Sequence, residues 1–299
     1  MPVPQYEFEK FVVFAPAICL TGSISAREIV FEPDAMLILE NDGSGVDLEI
    51  DCDKMSLAGD TNTIASRYYS SLDGAHGNPG ETGKSFAGDG EATGRPGGKG
   101  SPGADGEDGK VCNSINLKVT IKTIAELGTT KLRFDLTGPD GGNGGHGGGG
   151  GHGGHGQRGM PCELSDPNKQ PVYCAIAQGP GGSGGDGGHG GSGGNAGGGG
   201  NGGSIIFVVS QQLAVDMKLA EEAGRLQFVL QGGDAGQPGL AGRGGQGGWE
   251  GPVGQTIDQC NLIWTVGPPL QARSGYDGRD GGHAGPGSSG TVTWQTMHV

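Results

Sequence analysis

Large apolar side chains are scarce in this chain. Hydrophobic residues make up 32% of its 299 residues and aromatics 5%, too little apolar surface for an ordinary core of that length. Basic residues are also few. The 19 Lys and Arg stand against 33 Asp and Glu, a formal net charge of −14, which argues against nucleic acid as a partner because phosphates need a Lys/Arg-rich surface. No apolar run approaches the ~18 residues of a membrane span, so no membrane insertion is expected. The start, Met1 to Tyr6, lacks the basic and apolar regions of a classical signal peptide. The expectation is a mature chain, one exported by another route, or one delivered on a particle. No Cys-x-x-Cys pair occurs among the six cysteines, which speaks against a zinc site. Cys162 and Cys174 flank one short polar loop and form the candidate disulfide.

Glycine is abundant instead, at 69 residues. It falls in six runs of period three. Gly74 to Gly83 and Gly94 to Gly109 are the first two. Gly138, Gly141, Gly144, Gly147, Gly150 and Gly153 belong to the third, and Gly185, Gly188, Gly191 and Gly194 to the fourth. The fifth contains Gly239, Gly242, Gly245 and Gly248, and the last extends to Gly290. Disorder requires no such register. A polyproline-II helix has three residues per turn and rises about 3.1 Å per residue, so a glycine row marks one face where another backbone can approach. Its unpaired amides and carbonyls are then free to bond sideways. The third and fourth runs carry glycine on two rows of three, which predicts the most neighbours for them. A collagen triple helix fits poorly, because the runs are short and many triplets are Gly-Gly-X without proline.

Between the runs lie segments that alternate with period two, the pattern of strands. Residues 116–121, 132–136, 204–209, 226–230 and 291–294 are of this kind, as are 28–31, 36–39 and 46–50 further upstream. The expected fold is therefore all-β/polyproline-II: a short-stranded β base, β-helix or sandwich, bearing a bundle of six glycine-rich polyglycine-II helices. Residues 1–71 form an N-terminal β region. Residues 72–299 form a β base with three out-and-back glycine-rich pairs, 74–109, 138–203 and 233–290. Only Ala220 to Ala223 reads as a helical turn.

Chemistry-bearing motifs are weak. Gly83-Lys84-Ser85 ends like a phosphate-binding loop, but Asn78 stands where that motif needs glycine. His146, His152 and His155 share one row at about 9 Å or more from one to the next, too far apart for one metal. No metal, no cofactor and no catalytic group is expected, and the chain reads as not an enzyme. The far ends of the glycine pairs are better candidates, since recognition concentrates in loops on rigid scaffolds. Phe86, Tyr173, Leu262, Ile263 and Trp264 are the candidate contact residues there.

The glycine period over residues 74 to 290 resembles that of polyglycine-II bundle proteins. These include the glycine-rich adhesins of bacteriophage long tail fibres and, more distantly, the springtail glycine-rich antifreeze proteins. The adhesin resemblance implies a recognition protein at an extracellular or virion surface, with a cell-surface receptor as partner. The alternative is a self-assembling structural subunit of a filament or particle coat, with copies of itself as partner and a homo-oligomeric state. Ice binding is the minor alternative, because the exposed rows carry His, Asp, Asn, Arg and Gln.

Overall fold

A computed structural model describes residues 4–41, 46–68, 72–88, 90, 94–112, 115–164, 174–176, 178–254 and 270–297. The chain weaves between two sheets. Strands β1 (Gln5–Val13), β3 (Ser23–Phe31), β5 (Asp47–Ser56), β7 (Asn116–Ala125), β11 (Ser204–Val209) and β13 (Val292–Thr296) form one sheet, in that order. Strands β2 (Ala17–Leu20), β4 (Met36–Asn41), β6 (Thr61–Tyr68), β8 (Lys131–Asp135) and β12 (Leu226–Val229) form the other. Every pairing in both sheets is parallel. A short antiparallel pair, β9 (Glu163–Leu164) and β10 (Cys174–Ile176), lies apart from them.

Alternation explains the core. Strands such as β3, β6, β8 and β11 send every second side chain into the space between the sheets. Parallel register then stacks like on like: Ile50 pairs with Val119 and Val119 with Phe207 in one sheet, Ile64 with Phe134 and Phe134 with Phe228 in the other. Phe134 and Phe207 meet edge to face across the core at 5.3 Å. Asn62, fully buried, is satisfied because it donates to the Glu32 carbonyl and accepts the Ala58 amide.

Helix α1 (Gln211–Glu222) joins β11 to β12. The Ser210 hydroxyl accepts the Leu213 amide at its start. Gly224, at φ 71°, ends it in the left-handed conformation that glycine adopts without strain. Leu213, Met217 and Ala220 are its buried face.

The glycine-rich segments occupy residues 72–88, 94–112, 136–160, 178–203, 230–254 and 270–291, here segments 1 to 6. They carry neither α-helix nor regular strand. Outbound segments 1, 3 and 5 lie side by side: Gly77 donates to the His146 carbonyl and Gly147 to the Leu240 carbonyl. Return segments 2, 4 and 6 do likewise, Gly103 donating to His189 and Gly190 to Tyr276. Antiparallel bonds join the two layers, as when Gly145 donates to Glu107 and Gly194 to Gly145. Segments 3 and 4 each bond to four others, segments 1 and 6 to two.

These layers run on from the sheets. Leu136 donates to Val229 at the end of the β8–β12 pair, and Gly138 to Gln231 and Gly141 to Asp234 continue the ladder outward every third residue. Gly202 to Ser288 leads into Ile205 to Thr291 and so into β11 and β13.

The expected class is corrected accordingly. Among the described residues, regular structure consists of two wholly parallel sheets, of six and five strands, the short antiparallel β9–β10 pair and one α-helix, an α/β-type arrangement. The all-β/polyproline-II class, with its β-helix or sandwich base and its separate bundle of six polyglycine-II helices, gives way to this. Two physical reasons account for the difference. Alternation reveals a strand but not its direction. And α1 has only three buried positions in a polar context, so it showed in the sequence as a single turn.

Candidate binding surface

Each layer has an outer face built from every third residue. On the outbound layer the rows are Asp73, His76, Pro79, Thr82 and Ser85 in segment 1; Asn143, His146, Gly149, His152 and His155 in segment 3; and Gln237, Leu240, Arg243, Gln246 and Trp249 in segment 5. Inward, glycine is obligatory at the contacts. A Cβ on Gly148 would overlap the Asn78 carbonyl, whereas one on Gly149, in the outer row, would meet only the Arg243 oxygen at 3.7 Å.

The outer rows have a specific job. Inward-row glycine amides such as those of Gly144, Gly147 and Gly150 bond carbonyls, whereas outer-row amides are taken by side chains of the neighbouring segment. Asn143 donates its amide to Asp73, Asp234 to Asp140, Gln237 to Asn143 and His155 to Ser85, at 2.7–3.0 Å. Histidine does the same through Nδ1. His76 accepts from His146, His146 from Leu240, His152 from Gln246, His155 from Trp249 and His189 from Tyr276, all at 2.8–3.0 Å. Asp, Asn and His share an acceptor two bonds beyond Cβ, which explains why they alternate at these positions.

A neutral imidazole that accepts at Nδ1 carries its proton on Nε2. These five rings therefore offer no lone pair outward and present an N–H instead. This tautomer makes them poor metal ligands, and no group of three or more potential ligands occurs among the described residues. His76 and His146 stack at 4.9 Å, the spacing of neighbouring strands. His189 lies on the return face, stacked on Tyr276 at 5.3 Å, and so is remote in sequence row and layer from the other four.

The two faces differ in charge. From the His76 level to the Trp249 level the outbound face has no carboxylate. The return face carries Asp105 and Asp108, which accept the Ser192 and Asn195 amides, and Asp186, 3.6 Å from Lys99.

At the end away from the sheets the described flanks of the three connections bond to one another. Gly94 donates to Pro180, Gly179 to Met160, Gly254 to Gly179 and Glu250 to Leu270. Phe86 is half-buried there, with the Lys84 ammonium 5.5 Å from its ring centre. Tyr173, Leu262, Ile263 and Trp264 lie outside the described residues. So does the Cys174 side chain, while Cys162 is buried and the Cys174 backbone pairs with Leu164. The lateral edge of segment 5 is blunted. The row that in segment 3 donates to the next outbound segment is here Pro238, which has no N–H, then Ala241 and Gly244, whose amides are taken by Asp280 and Asp277.

No protein-family model matches this chain, and neither does any curated protein or solved structure. Residue spacing points to the far-end loops and shows the histidines only as too far apart for one metal. Their bonding role is not visible in spacing, although the recurrence of Asp, Asn and His in one row is a usable signal.

Proposed function

We propose that this is a non-enzymatic surface-recognition protein, adhesin-like, that presents its far-end connections to a receptor on a cell surface. The observation that carries the reading is that the described flanks of three connections meet at one end of a hydrogen-bonded scaffold, through the bonds from Gly94, Gly179 and Gly254. Rigid elements that gather loops at one end are the usual architecture of binding sites. In this reading Phe86, Tyr173, Leu262, Ile263 and Trp264 make the contact, at an extracellular or virion surface. The test replaces residues 255–269 with a short Gly-Ser linker and measures binding of labelled protein to a panel of bacterial cells. Loss of binding with an unchanged melting temperature supports the proposal. A parent protein that binds no cell in the panel, or a variant that binds as well as the parent, overturns it.

Self-assembly into a filament or coat is the second reading. It is favoured by β13, which pairs only with β11 and leaves its other edge open among the described residues. The blunted edge of segment 5 opposes it. Sedimentation separates the two: concentration-dependent growth abolished by Thr293→Pro would move the assignment to self-assembly.

A further inference from the structure

The outer face of the outbound layer is an array of fixed hydrogen-bond donors. His146, His152 and His155 each give Nδ1 to a backbone amide, so each directs an Nε2–H to solvent. The bond fixes the ring as well as the tautomer. Arg243 adds a guanidinium with no ion-pair partner among the described residues. Trp249, 47% exposed, adds a flat ring with an indole N–H at the distal level. In a chain of net charge −14, the outer rows of this stretch hold donors and a cation and no carboxylate, with Asp277 and Asp280 confined to the lateral edge of segment 5.

A surface of donors selects a ligand of acceptors, and a flat face with levels about 9 Å apart along the segment selects an extended, repeating one. We infer that the outbound face binds an acidic polysaccharide, one bearing uronate carboxylates along an extended chain. The carboxylates take charge-assisted bonds from Arg243 and the Nε2–H row, and Trp249 takes the face of a sugar ring. Nucleic acid fits less well, since one arginine is far short of the cationic surface that a phosphate backbone needs. This site is separate from the far-end loops and does not depend on them.

The protein itself supplies a conservative probe. Asp73 and Asp140 already accept an outer-row amide as the histidines do. His152→Asp with His155→Asp therefore keeps the backbone bonds while it removes two donors and adds two negative charges. Binding of an oligogalacturonate of about six residues is measured by titration calorimetry, with amide exchange at Gln246 and Trp249 as the check on folding. The expected result is binding that weakens at least tenfold in the double variant and in Arg243→Gln, that is unchanged by His189→Asp on the return face, and that falls with added salt. Absence of binding to the parent overturns the proposal. So does equal binding by parent and Arg243→Gln, equal affinity for a neutral oligosaccharide, or equal affinity for duplex DNA. Should the double variant lose amide protection, Arg243→Gln and Trp249→Ala decide alone. Replacement of residues 255–269 by the Gly-Ser linker leaves this binding intact whether or not it abolishes cell binding, so the two readings fail separately.

Discussion

The sheets and the glycine-rich layers solve one problem in opposite ways. Both must satisfy a parallel backbone and exclude water from it. The sheets do so around side chains: Phe31, Phe134 and Phe207 are fully buried between them, and the hydrophobic effect supplies the cohesion. The layers do so without side chains, by bringing backbones so close that only hydrogen fits at Cα. A position in the sheets is thus judged by volume. In the central segments 3 and 4 it is judged by row, a Cβ meeting backbone at glycines on two inward rows, such as Gly147 and Gly148, and only ordinary contact on the outer one.

Substitutions break or sharpen that contrast. Gly148→Ala drives a methyl into the Asn78 carbonyl, a backbone atom that has nowhere to go. A loss of more than about 4 kcal/mol is expected, in the range reserved for a named structural failure, read by chemical denaturation. A loss below about 1 kcal/mol would mean that the layers yield as loops do. Phe207→Ala should cost about 3–5 kcal/mol by leaving a cavity, with the β11 and β12 amides losing exchange protection before those of segments 1 and 2.

Cys52 sharpens the comparison from the side of charge. Burial, with Asp51 and Asp53 beside it, pushes its thiol up to about 12 from an ordinary 9.0. The unfolded chain releases this proton near pH 9 and the folded chain keeps it until about 12. Stability is therefore undiminished below pH 9 and falls as the pH rises from 9 to 12, by a few kcal/mol in total. Cys52→Ser should remove that alkaline decline in melting temperature. At neutral pH the folded protein should leave Cys52 unalkylated while the exposed Cys19 reacts. The smallest effect belongs to Gly149→Ala, one residue from the most damaging change: within about 0.5 kcal/mol of the parent, since a Cβ there meets only ordinary contact.

Much of this was legible from residues alone. The strand segments 116–121, 132–136 and 204–209 lie on β7, β8 and β11, because a half-buried strand must alternate. The glycine period shows because close approach permits no other residue. Strands β1 and β6 escaped notice because polar residues such as Glu7, Glu9 and Asn62 interrupt their patterns, and β2 because it is only four residues long. Strand direction has no local signature, so a parallel β-helix and a sandwich both stayed open for the base, and the structure has two parallel sheets instead. The candidate surface was hidden for a different reason. A histidine in a row reads as a solvated side chain until its neighbour 94 positions away, as with His152 and Gln246, is known to offer an amide.

The continuous ladder from sheet to layer sets rules for how such a chain can change length. An outbound arm and its return arm are bonded to each other and to arms on either side, always in steps of three. One added residue would turn glycine out of every inward row beyond it. Three added to one arm alone would leave a step at the far end. Growth by one triplet in both arms of all three hairpins keeps every bond and carries the connections about 9 Å farther from the sheets. Reach is therefore a graded property of this protein, adjustable in fixed increments with the base and the loops left as they are.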